Sequence, residues 1–201
     1  MSRALALPEQ IDTADSDQIV VFHDVTWEDY ERVLEIRGDK SAPRINYLEG
    51  ELEIMSPSRD HEQIKNIIGH IVEAWCIDHG IRAISAGSWT VKGQEEDGAA
   101  EADECYIFGT APRDRPQLAI EVDWSRGSID KLRLYEKLGV DEVWICRKGV
   151  IEVHVLAGKR FVKAERSRLL PGLDLELLAS VLDRDSITDA VLDFRKASEG
   201  A

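Results

Sequence analysis

Leu118-Ala119-Ile120-Glu121-Val122, with Asp123 next, is the stretch of this chain whose reading decides the fold. Its apolar residues run without alternation, the pattern of a strand covered on both faces by helices. A carboxylate inside such a strand is costly unless it is paired or binds something. Upstream, Glu101-Ala102-Asp103-Glu104-Cys105-Tyr106-Ile107-Phe108 reads as a second strand with an acidic start, and downstream a helix-like stretch begins at Ser128-Ile129-Asp130-Lys131. Two carboxylates and a lysine near one sheet suggest a cation-dependent site.

Thr26 with Asp29 three residues on makes a capping-box-like start to a helix that carries Trp27, Tyr30, Val33 and Leu34 and ends before Gly38. Ile45 to Ile54 alternates on both sides of Glu49-Gly50, which predicts an antiparallel hairpin. After the break at Ser56-Pro57-Ser58, Ile64, Ile67, Ile68, Ile71, Val72 and Trp75 hold helical spacing up to Gly80. Three strands are expected between Ile81 and Val122, with the acidic stretch from Gly93 to Ala100 as an exposed turn. Leu132, Tyr135 and Leu138 predict a short helix closed by Gly139, then strands at Val143–Cys146 and Val150–Leu156 around Lys148-Gly149. Leu173 to Leu182 and Ile187 to Phe194 read as terminal helices. The expected architecture is α/β: a central mixed sheet flanked by helices in the order helix, three strands, helix, strand, preceded by an N-terminal helix and hairpin. The expected organisation is an N-terminal extension over 1–25, one domain over 26–182 and a C-terminal helical tail over 183–201.

A chain of 201 residues, 43% of them apolar, can bury one proper core but hardly two. Cys76, Cys105 and Cys146 are odd in number and form no Cys-x-x-Cys pair, which argues against a disulfide framework or a zinc knuckle and for a reducing cytoplasm. The first eighteen residues lack the flank and apolar run of a signal segment, and no later stretch is long enough to span a bilayer. Against 25 basic residues stand 39 acidic ones, a net charge of -14, whereas nucleic-acid binders usually present a basic face. Local clusters run the other way: Arg113, Arg115, Arg126, Lys131, Arg133, Lys159 and Arg160 all flank the acidic strands in sequence.

Side chains alternate along a strand, so Glu121 and Asp123 share a face, and Asp103 can meet them from the neighbouring strand. Carboxylates converging at a strand end make a hard-ligand site for Mg²⁺ or Mn²⁺, which takes only one or two of them from a protein. Such an ion activates water for phosphodiester attack, and a nearby lysine can orient the nucleophile. Each residue also has a structural reading. Glu121 could pair with an arginine such as Arg133, Asp103 could be a strand-start residue, and Asp123 could cap the next segment. Lys131 alone reads as a solvated charge on a first helical turn. Glu62 could complete the metal shell or simply favour a helix N-terminus, and His61 could bind phosphate or cap that helix.

In their order, Ala102-Asp103, Glu121-Val122-Asp123 and Lys131 resemble the PD-(D/E)XK nuclease superfamily. Within it the chain is most similar to the Uma-type restriction endonuclease branch. Its hallmarks stand here as Tyr47-Leu48-Glu49-Gly50-Glu51-Leu52, Met55-Ser56-Pro57 with His61, Ala100 to Tyr106, Ile120-Glu121-Val122, Asp130-Lys131-Leu132 and Leu138 to Trp144. The resemblance covers roughly Trp27 to Leu178 and implies a restriction-endonuclease-like core. It also implies a Mg²⁺ site at Asp103 and Glu121, DNA as substrate and a homodimer. The motif's proline is Ala102 here, and Asp123 stands where the superfamily places its lysine. The resemblance therefore moves that role to Lys131 on the following helix. A silent nuclease-like fold acting as a dimeric interaction module is the alternative from another class, and hydrolysis of a different phosphorylated substrate is a third.

Overall fold

The computed structural model describes residues 16–87, 89–93, 97–122 and 129–200. Asp123 and Arg126, read above as a helper ligand and a flanking basic residue, lie outside the described residues. The elements run β1 (Gln18–Phe22), α1 (Trp27–Arg37), β2 (Arg44–Leu48), β3 (Glu51–Ser56), α2 (Arg59–Asp78), β4 (Ala83–Ser85), β5 (Thr90–Lys92) and β6 (Gly98–Glu101). They continue β7 (Glu104–Phe108), β8 (Leu118–Val122), α3 (Lys131–Leu138), β9 (Glu142–Arg147), β10 (Val150–Ala157), β11 (Arg160–Ala164), α4 (Leu175–Ala179) and α5 (Ile187–Ser198).

The local signals act as expected at most boundaries. Thr26 closes a capping box with Asp29 at the start of α1. Ser58 caps α2 by accepting from the His61 N–H at 3.2 Å, and Gly139 ends α3 in the left-handed conformation. The β2–β3 turn places both Glu49 and Gly50 at positive φ, as a two-residue hairpin requires.

The strands form two sheets, the expected central mixed one and another built around the hairpin. One has five strands in the order β1-β3-β2-β6-β5, the other six in the order β11-β10-β9-β8-β7-β4. Among the described residues, five strands and not three lie between Ile81 and Val122. The second sheet still shows the expected succession, because α2, β4, β7, β8, α3 and β9 give helix, three strands, helix, strand. The additional strands, β5 and β6, belong to the other sheet: β6 pairs with β2 of the hairpin, and β5 pairs with β6. Gly98-Ala99-Ala100 lacks the β-branched and aromatic residues that mark a strand in sequence, and pairing with β2 on one side and β5 on the other makes it one. In the second sheet β8 pairs parallel with β9 and antiparallel with β7.

The run around Glu121 is buried on both faces. Leu118, Ile120 and Val122 pack with Ile67, Ile68, Ile71 and Val72 of α2, and with Ala190 and Phe194 of α5. Ala119 belongs with Leu134, Tyr135 and Leu138 of α3 on the other side. Each large aliphatic side chain on α2 contributes about 1.5–3 kcal/mol by leaving water. A third cluster, Tyr30, Ile45, Tyr47, Leu52 and Ala99, seats α1 on the first sheet. The first and last described elements join this body: β1 pairs with β3, and Arg195 of α5 forks onto Asp78 of α2. Among the described residues no helix is long and apolar enough to cross a membrane.

The topology makes one special junction. Only Ala102 and Asp103 separate β6 of the first sheet from β7 of the second, so Asp103 sits where the chain passes between sheets.

Candidate functional site

At that junction the Asp103 carboxylate is fully buried and tied on both oxygens. Oδ2 accepts from the Val122 N–H at 2.6 Å, next to Glu121 on β8. Oδ1 meets the Arg44 guanidinium and, at 3.0 Å, Nε2 of His61. Burial alone would raise the Asp103 pKa, but the His61 hydrogen bond, the Arg44 charge and the Val122 N–H outweigh it and hold the group below its ordinary range.

Glu121 points the opposite way along this balance. Burial pushes its carboxyl up to about 7, the Asp103 charge adds to the rise, and Lys131 and the Tyr135 hydroxyl act against it. Tyr135 donates to Oε1, and Nζ of Lys131 stands 3.6 Å from Oε2. Lys131 is the first residue of α3, held in place by the Asp130 cap, and its side chain is only 12% exposed. Burial disfavours its charge, yet Glu121, Glu53 and Asp103 together keep its pKa above the usual lysine value.

The structure thus brings Asp103, Glu121 and Lys131 together, and it replaces several structural readings. Arg133 does not pair with Glu121; it faces outward to Glu49. Lys131 is not a solvated charge, and His61 is not the helix cap, which is Ser58. His61 lies buried between Asp103 and Asp17, whose Oδ2 is 2.9 Å from Nδ1. Burial works against a charged imidazole there, but the hydrogen bonds it donates to both carboxylates raise its pKa to about 9. Glu62 reaches the cluster through Arg44 Nη2, at 2.8 Å, and also binds Lys65 at 2.7 Å.

Five participants went unread in the sequence: Asp17, Arg44, Asn46, Glu53 and Tyr135. Asn46 lies opposite Glu53 in the β2–β3 register, and its Nδ2 donates to Glu53 Oε1 at 2.8 Å. Glu53, 1% exposed, is also 3.1 Å from Lys131 Nζ and accepts from the Ile129 N–H at 3.1 Å. The signal was present: Arg44 and Asn46 alternate on one face of the hairpin and Glu53 answers them from the other strand. Tyr135 looks like an apolar core residue at helical spacing, and nothing local marks its hydroxyl.

Lys131 apart, the described basic residues that flank these strands in sequence stand elsewhere. Arg115, Arg133, Lys137 and Arg160 line a surface cavity of about 590 Å³ beside α3 with Glu49 and Asp97, and Asp103, Glu121 and Lys131 are not in its wall. Most are spoken for by carboxylates, as in Arg113–Asp141 and Arg160–Glu136.

Two buried carboxylates, Glu121 on β8 with its pKa raised by burial and by the charge of Asp103, and Asp103 in the link before β7, could supply hard oxygen donors to Mg²⁺ or Mn²⁺. Among the described residues no three acidic, histidine or cysteine side chains converge as a full cage, and Mg²⁺ does not require one.

A search of the curated proteins finds no match. Among solved structures the fold is similar to a crystal structure of a "putative nuclease belonging to DUF820" from Anabaena variabilis, with a TM-score of 0.53 and 15% identity. The likeness covers 85% of this chain and 99% of that one. The model of the family Uma2, described as "Putative restriction endonuclease", matches residues 27–183, which take in β2, β3, α2, β7, β8 and α3 and so every element of the cluster except Asp17. The chain belongs to the Uma2 restriction endonuclease family.

Proposed function

We propose that the protein is a Mg²⁺- or Mn²⁺-dependent endonuclease that hydrolyses DNA phosphodiester bonds at the Asp103–Glu121–Lys131 cluster. The observation that carries this reading is the convergence of two buried carboxylates with a buried ammonium, 3.6 Å from Glu121, in a chain of this family. Asp103 and Glu121 would hold the metal, with Asp123 as a further ligand. When bound, the metal lowers the pKa of its water and offsets charge on the phosphate. The Val122 N–H ties Asp103 to the residue next to Glu121, which keeps its carboxylate against β8. Tyr135 orients Glu121, and the ammonium of Lys131 would orient the attacking water and offset the charge that develops on the phosphate. The three cysteines are free and buried, which suits the cytoplasm, and a homodimer would supply one site per strand.

A specific observation favours a second reading. Both Asp103 oxygens are already engaged, Oδ1 by Arg44 and His61, so the cluster can stand as a self-neutralised ion network in a silent interaction module. Titration of Mn²⁺ into wild type, Asp103→Ala and Glu121→Ala proteins, followed by nicking of supercoiled DNA with Mg²⁺ or Mn²⁺, separates the two. Binding that both substitutions leave unchanged would sink the assigned site. Site-dependent binding without cleavage of any nucleic acid would favour the silent module or another phosphorylated substrate.

A further inference from the structure

Lys131 sits on a helix, not on the strand that carries Glu121, and this poses a physical problem. An ammonium on a flexible stem must be held if it is to meet Glu121 in one geometry, and holding it costs rotamer freedom. The nearer carboxylate is not Glu121 at 3.6 Å but Glu53 Oε1 at 3.1 Å, from the hairpin of the other sheet. Glu53 is itself fixed. Asn46 Nδ2 donates to it at 2.8 Å, the Ile129 N–H at 3.1 Å, and Asn46 Oδ1 accepts from the Glu101 N–H at 2.9 Å. Glu101 ends β6, two residues before Asp103. A continuous line of polar contacts therefore runs from the backbone beside Asp103, through Asn46 and Glu53, to Lys131 and Glu121.

We infer that Glu53 is a positioning residue of the site: it anchors the Lys131 ammonium and the approach to α3, so that a lysine carried on a helix reaches Glu121. The inference rests on the endonuclease reading for what the lysine then does. The hairpin in this view is part of the working site and not only a lid on the core.

The test uses Glu53→Gln and Glu53→Asp in the full chain. The aspartate variant keeps the charge that compensates buried Lys131 but withdraws the carboxylate by one methylene, so a role in charge balance alone leaves it like wild type. In both variants Mn²⁺ affinity should stay within about twofold of wild type, while kcat for nicking falls about a hundredfold with KM for DNA unchanged. A readout independent of activity is the ¹H–¹⁵N correlation of the Lys131 ammonium, which should be visible in wild type and broadened or displaced in both variants. Absence of that signal in wild type overturns the anchoring, as does its persistence unshifted in Glu53→Asp. If Glu53→Gln fails to fold, Glu53→Asp decides alone. If wild type cuts no DNA, the endonuclease reading fails by itself, and the ammonium signal still decides whether Glu53 holds Lys131.

Discussion

Asp103 accepts the backbone N–H of Val122 at 2.6 Å, a side-chain bond that locks the crossing between the two sheets to the strand carrying Glu121. The same carboxylate neutralises Arg44 and His61, so one residue joins the hairpin, α2 and β8. Its removal and the removal of Glu121 should have unlike consequences.

Asp103→Ala leaves Arg44 and His61 as buried cations without this partner, and breaking such a network costs about 3–5 kcal/mol. Urea unfolding should show that loss as a lower midpoint. A midpoint equal to wild type would mean that Arg44 and His61 do not depend on Asp103.

Glu121→Gln should behave differently. The carboxyl is already destabilised as an anion by burial and by Asp103, so a neutral isostere should change stability by less than about 1 kcal/mol, in either direction. Mn²⁺ affinity should nevertheless fall at least about tenfold. Calorimetric titration beside urea unfolding checks both halves.

Because the Glu121 pKa is raised to about 7, metal binding should carry a pH signature. Below that pH the carboxyl is protonated and Mn²⁺ must displace the proton; above it the ligand is free, so affinity should rise through about pH 7 and then level off. The metal-free protein has the opposite slope from this group: its stabilising contribution is complete below the ordinary glutamate pKa and is lost as pH rises through about 7. Titrations of Mn²⁺ from pH 5.5 to 8.5 would show a flat profile if Glu121 were not a ligand.

His61 adds a second window. Its folded pKa of about 9 lies above the ordinary value, so its contribution is whole below about pH 6.5 and lost as pH climbs through 9. The loss should be on the order of 1–3 kcal/mol, and His61→Gln should remove that part of the slope. Unfolding curves at pH 6, 7.5 and 9 for both proteins test it.

Tyr135→Phe removes a buried hydrogen bond to Glu121 and should cost about 1–2 kcal/mol. Without that donor the Glu121 carboxylate is less favoured, and the rise in Mn²⁺ affinity should move to higher pH. Thermal unfolding and the same titration series read the two effects.

Much of the fold was legible because it rests on local periodicity. The isoleucine stripe of α2, the Glu49-Gly50 turn, the Thr26 start and the continuous apolar run of β8 are all dictated by neighbours in the chain. Where the sequence misled, the element owes its form to a distant partner: β6 is a strand only because β2 and β5 bind it, and β1 because β3 does.

The site divides along the same line. From the sequence alone came Asp103 and Glu121, since a carboxylate inside an apolar strand must be compensated wherever it lies, and Lys131 through the family's motif order. Only the tertiary structure decided what compensates them. Arg44 and His61 come to Asp103, Tyr135 comes to Glu121, and Glu53 comes to Lys131 across a gap of 78 positions in the chain, from 53 to 131. No local period encodes such meetings; burial at the junction of two sheets does, by making every unpaired charge too costly to leave alone.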